Sequence, residues 1–212
     1  MRLHGRVTDF EGKPLDHAEV HLVGRGWEVV AYTYSDGAGM YGVEVEGGTY
    51  LAVWICKDYK TKMLEYWAWH VPLLGDLELN ARVDGLEVYG LNAFWPRYGP
   101  TLMVYFRPMS LKRSLAWEAG GRDRPGLTDI APSLGPEDIE ATIEGEPAPL
   151  LCVSKVREEA PPDRYLDAYL VHVQAEGIRA TDAYRKIGVA IADRETGERG
   201  EGSVFWRHTL YE

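Results

Sequence analysis

Cysteine is nearly absent from this chain: Cys56 and Cys152 are the only two among 212 residues. That excludes a disulfide-stapled scaffold, and two thiolates cannot build a structural zinc site unaided. Each cysteine sits in an apolar run (Val53-Trp-Ile-Cys56 and Leu150-Leu-Cys-Val153), so both are expected to be buried free thiols. Long apolar runs are missing too; none approaches the roughly 18 residues that a membrane span requires. Positive charge is in deficit, with 23 Lys and Arg against 33 Asp and Glu, a net charge of −10. Residues up to Asp84 hold 8 basic and 13 acidic side chains and the rest hold 15 and 20, so each half carries −5 and neither is a basic arm. Such a surface repels phosphate, which argues against nucleic acid and anionic membranes as partners. No apolar leader follows Met1; the chain is expected to be cytoplasmic if Met1 is the native start, and extracellular if a signal peptide has been trimmed away.

Aromatic residues, by contrast, are plentiful: seven Trp and thirteen Tyr, side chains that favour strands and grip ligands. Apolar residues recur with period two, while a sustained helical period is lacking. In Arg2–Thr8, Leu3, Gly5 and Val7 share one face and Arg2, His4 and Arg6 the other. In His17–Val23, Ala18, Val20 and Leu22 point inward and His17, Glu19 and His21 outward. Segments 28–34, 40–46, 50–56, 63–70 and 77–83 complete about seven short strands, separated by Gly- and Pro-bearing turns. This predicts an antiparallel sandwich, and the length suits two such cores.

The motifs Gly5-x-Val7 with Asp9, Gly12-x-Pro14, Ala18-x-Val20, Thr33–Asp36, Gly39-x-Tyr41, Gly48-x-Tyr50 and Asp58-Tyr59 resemble the pattern of carboxypeptidase regulatory-like domains. The resemblance covers residues 1–84 and implies a transthyretin (prealbumin)-like fold, often grouped as carbohydrate-binding-like. Its motifs are turn glycines and strand alternation, so they speak to fold and hardly to function. Intradiol dioxygenases open with a similar strand–turn–strand but bind iron partly through a His-x-His pair, which does not occur here. Hydroxyisourate hydrolases share the fold and end in Tyr-Arg-Gly-Ser, also absent.

Residues 85–212 also read as strands, at 86–94, 101–106, 139–143, 150–156, 165–173, 187–192 and 203–207, with hairpin connections at Glu144-Gly-Glu-Pro147 and Glu195-Thr-Gly-Glu198. Their spacing predicts an immunoglobulin-like sandwich. The expectation is therefore an all-β protein of two tandem antiparallel β-sandwiches, 1–84 and 85–212, joined at Arg82-Val-Asp-Gly85 and packed firmly together. An insertion at about 107–136 breaks the pattern with a short helix over Ser110–Ala119 and a Gly-rich stretch. Arg107, Lys112, Arg113, Arg122 and Arg124 give it a local excess of positive charge. It is either an anion or partner contact or a solvated loop paired with its own acidic neighbours.

Catalytic signatures are missing. There is no nucleophile elbow, phosphate-cradling loop or paired-Cys motif, and no cofactor is expected. Carboxylates are numerous, yet nothing selects an acid–base pair. His17 and His21 are not a metal pair: on a strand they lie about 13 Å apart, beyond the reach of one zinc ion. The best functional lead is aromatic. In Leu64-Glu-Tyr-Trp-Ala-Trp-His70, Trp67 and Trp69 share a face about 7 Å apart along the strand, and Trp95 and Tyr98 follow at a turn. These rings could stack on a sugar, bury between the two sandwiches, or meet a protein partner. The expectation is a non-catalytic binding module, with carbohydrate as a candidate ligand. A scaffold or assembly protein is the alternative, and an enzyme with a carboxylate site the third reading.

Overall fold

The turns form where short acceptor side chains and glycine allow them. The Asp9 carboxylate accepts from the backbone N–H groups of Glu11 and Lys13, at 3.0 and 2.8 Å, beside Gly12 with φ +82°. Asp36 repeats the device on Ala38 and Met40, beside Gly39 with φ +76°. In both, a carboxylate satisfies the freed N–H groups while glycine takes the left-handed backbone. The computed structural model describes residues 1–96, 99, 101–120, 126–160, 163–175 and 183–208.

Strands of four residues or more are β1 (Arg2–Thr8), β2 (Glu19–Val23), β3 (Val29–Tyr34), β4 (Met40–Glu44), β5 (Ala52–Cys56), β6 (Tyr66–Trp69), β7 (Leu86–Phe94), β8 (Thr101–Ser110), β9 (Ile139–Ile143), β10 (Leu150–Ala160), β11 (Arg164–Gln174), β12 (Arg185–Ala192) and β13 (Arg199–Trp206). Helix α1 (Leu111–Ala119) begins where Ser110 Oγ accepts from the N–H of Arg113. The protein is all-β, built as packed sheets.

Three of the sheets lie within one half of the chain, and the fourth joins the halves edge to edge. One eight-stranded sheet runs from Glu146–Pro147 through β9, β12, β13, β6, β5 and β2 to β3 at its far edge. Its centre is a parallel seam between β6 and β13, with Gly202 opposite Trp67, Ser203 opposite Ala68 and Val204 opposite Trp69. On one face, Val20, Leu22, Val53, Ile55, Tyr66 and Ala68 pack against Leu3, Val7 and Tyr41 from a small sheet of β1 and β4. On the opposite face, Trp67, Trp69, Val189 and Val204 pack against Val88, Leu102, Val104, Phe106 and Tyr169 from the sheet of β7, β8, β11 and β10. Strands β6 and β13 are covered on both sides, as near-continuous apolar strands must be. The Tyr66 hydroxyl meets Ser203 Oγ at 2.8 Å across the seam, and Arg82 Nε donates to Glu201 at 2.8 Å.

Two local expectations change. Cys56 is buried, but Cys152 is exposed: β10 lies at a sheet edge, and a register shift between Leu150 and Cys152 turns the thiol outward. The insertion begins at Leu111 and not at Arg107, because alternating burial continues through Ser110. Pro108 is tolerated there because β8 pairs with β11 only over Thr101–Phe106. No helix among the described residues is long and apolar enough to cross a membrane.

Candidate functional site

Where β6, β7 and β13 end, the two packed layers part to leave a cleft of about 590 Å³. From the first half come Arg25, the Thr49–Leu51 segment before β5, and His70 just after β6. His70 takes a left-handed backbone (φ +57°), and its N–H donates to the Leu51 carbonyl at 2.8 Å. Asn92 to Trp95, Tyr184 and Phe205 to His208 complete the wall from the second half. Trp95 and Trp206 lie nearly parallel, centroids 6.3 Å apart and planes at 22°. His208 stands edge-on to both, at 6.1 and 5.9 Å. The Trp95 indole is fixed by donating to the Gly99 carbonyl at 2.7 Å. Arg207 lies over the Tyr184 ring at 5.1 Å, and Arg25 donates to Thr49 Oγ1 at 2.9 Å. Burial holds the His70 imidazole below its ordinary value. Aromatic planes, two guanidinium groups and an amide on one open cleft suit reversible binding of a polar ligand with apolar faces.

Trp67 and Trp69 are elsewhere. Each is 7% exposed, and the rings stack on one another at 4.9 Å and 11°. Trp27 lies edge-on to both at 6.4 and 6.0 Å, as does Tyr89 at 5.4 Å from each. An exposed two-indole surface is therefore not formed; the covering sheet of β7 closes over the pair. The Trp67 indole N–H is shared between Glu87 Oε1 at 2.9 Å and Glu65 Oε2 at 3.1 Å. Burial, then the neighbouring Glu65, pushes the Glu87 carboxyl up to about 8. Glu87 also lines a separate cavity of about 250 Å³ with Tyr59, Lys60, Leu115 and Trp117.

Among the described basic residues of the 107–136 stretch, Arg107 is held apart from Lys112 and Arg113, which both reach the turn at 193–196. Arg107 pairs with Glu158, which also accepts from Tyr105 at 2.6 Å. Lys112 donates to the Thr196 carbonyl at 2.5 Å, and Arg113 pairs with Asp193 at 3.2 Å and with Glu195. Tyr98, Arg122 and Arg124 lie outside the described residues. His17 sits beside Asp16, mostly exposed, whereas His21 stacks on Trp54 at 3.8 Å. Among the described residues no cluster of His, Cys, Asp and Glu is placed to hold a metal ion.

Of the aromatic candidates in the sequence, the cleft uses Trp95. It adds Trp206, His208, Tyr184, Arg25 and His70, which sequence reasoning passed over. The density of Trp206-Arg-His208 was the available signal, and period two had absorbed it into a strand.

No protein-family model matches the chain, and no curated protein matches it by sequence. Among solved structures, a DUF3823 family protein from Bacteroides ovatus is similar over 96% of this chain and 98% of its own, at 10% identity and a TM-score of 0.30. A protein from Bacteroides uniformis, provisionally described as carbohydrate binding, is similar over 97% and 98% at 13% identity and a TM-score of 0.33. The major pilin subunit of Bacillus cereus is similar over 96% of this chain and 68% of its own, at 10% identity and a TM-score of 0.32. Superpositions this loose do not assign the chain to a family.

Proposed function

We propose that this is a non-catalytic binding protein whose cleft takes a saccharide. The observation that carries the reading is the Trp95–Trp206 pair, fixed at Trp95 by a hydrogen bond and set in an open cleft with Asn92, Thr49 and Arg25. Sugar C–H faces stack on indole planes while hydroxyls meet the polar rim. A glycan panel titrated against tryptophan fluorescence tests it. At least one glycan is expected to bind, and Trp206→Ala to weaken it about tenfold or more, the loss typical of a buried aromatic anchor. Trp67→Phe, remote from the cleft, should leave affinity unchanged. A panel with no binder, or a binder indifferent to Trp206→Ala, sinks the reading.

Residues 1–84 are read as a carboxypeptidase regulatory-like, transthyretin-like sandwich and 85–212 as an immunoglobulin-like one, supported by two separate cores on opposite faces of the shared sheet.

One observation favours an assembly role as a second reading. Strand β3 ends the eight-stranded sheet, carries no charge, and exposes Val29, Val30, Tyr32 and Tyr34 by 45–62%. Uncharged edge strands invite pairing with another chain. Light scattering after size exclusion is expected to show self-association that Tyr32→Lys abolishes; a strict monomer at high concentration removes this reading for homomeric assembly.

A further inference from the structure

The cleft departs in charge from the molecule that contains it. At a chain-wide frequency of 33 acidic residues in 212, its fourteen lining positions would carry about two carboxylates by chance. Among the described residues they carry none, and Arg25, Arg207, His70 and His208 are all present. Both arginines are exposed. Among the described residues their contacts are neutral: Arg25 with the Thr49 hydroxyl, Arg207 with the face of Tyr184. Elsewhere Arg82, Arg107, Arg113, Arg194 and Arg199 each hold a carboxylate. The two cleft arginines come from opposite halves of the chain, one on the β2–β3 turn and one just past β13, so each half delivers a guanidinium to the same opening.

We infer that the cleft selects an acidic saccharide, one whose ring carries a carboxylate or sulfate held by Arg25 and Arg207 while its apolar face lies on Trp206. This rests on the saccharide reading above and adds the charge. A guanidinium presents paired N–H donors whose spacing matches the two oxygens of a carboxylate or sulfate. A neutral sugar would leave both groups without an anion. The chain's net charge of −10 repels a diffuse polyanion, so selectivity must come from these local contacts and not from net charge.

The test is a matched set of ligands: oligogalacturonate, its neutral methyl ester, a sulfated oligosaccharide and a neutral galactose oligomer, titrated by calorimetry at two salt concentrations. Oligogalacturonate or the sulfated sugar is expected to bind about tenfold tighter than the ester, with the advantage shrinking at higher salt. Which of the two binds tighter distinguishes carboxylate from sulfate as the recognised group. Arg25→Gln and Arg207→Gln should each erase most of the preference for acid over ester while leaving thermal stability near wild type. Equal binding of acid and ester overturns the inference and leaves the saccharide reading intact. Absence of binding by every sugar overturns both. A preference for acid that survives the two arginine variants also overturns it, because the anion would then be held elsewhere.

Discussion

Gly200→Ala and Gly5→Ala are each expected to destabilise the protein by about 3 kcal/mol, the upper part of the range for overpacking a closed core. A Cβ on Gly200 would lie 2.2 Å from the Leu86 carbonyl oxygen and 2.5 Å from its carbon. The obstacle is the backbone of β7, facing β13 across the second core, and it cannot rotate away. On Gly5 the added carbon would lie 2.1 Å from the Leu79 carbonyl oxygen, with the Tyr41 ring at 3.2 Å. Tyr41 cannot yield either, because its hydroxyl donates to that same Leu79 carbonyl at 2.6 Å. Gly75 is the control, with ordinary φ and nothing within 4 Å of the added atom; Gly75→Ala should fall within about 0.5 kcal/mol of wild type. Denaturant midpoints at unchanged slope give the comparison. Wild-type midpoints for Gly200→Ala and Gly5→Ala would show that the sheets are not packed this closely.

The second large effect concerns Glu87. Its carboxyl is raised to about 8 in the folded protein from 4.5 for an ordinary glutamate. Between those values the folded state holds a proton that the unfolded chain has released. Stability from this group is therefore complete below about pH 4.5 and is lost as pH climbs through 8. Glu65, raised chiefly by burial, acts in the same direction. Wild type is expected to lose thermal stability between about pH 5 and 8. Glu87→Gln keeps an oxygen to accept from the Trp67 indole and cannot ionise. It should flatten that decline and exceed wild type at pH 9 by roughly 3 kcal/mol, with near equality at pH 5. Melting temperatures across this range decide the matter: a wild-type profile that is flat, or one that falls equally in the variant, rejects a buried neutral carboxyl at Glu87.

Much of the strand layout was legible because each strand announces itself locally. Leu3, Gly5 and Val7 alternate into the core, and Asp9 with Gly12 ends the strand by chemistry confined to five residues. Ser110 marked the start of α1 for the same reason. The β6–β13 seam was not legible, because it pairs residues some 135 positions apart and no local period encodes a distant register. The trace it left is that Tyr66, Trp67, Ala68 and Trp69 are all buried, the mark of a strand covered on both faces. Alternation put Trp67 and Trp69 on one face and left open what covers it; that face is the floor of the second core. The cleft was legible only through Trp95. Its partners Trp206 and His208 arrive through the same long-range seam, as do Arg25 and Arg207 from opposite halves.

That seam also bears on ancestry. If residues 1–84 and 85–212 descend from separate modules, one parallel seam has since joined their sheets edge to edge. Recombination at Asp84 would leave two fragments with unpaired backbone along β6 and β13. The two halves are therefore expected to melt in a single transition.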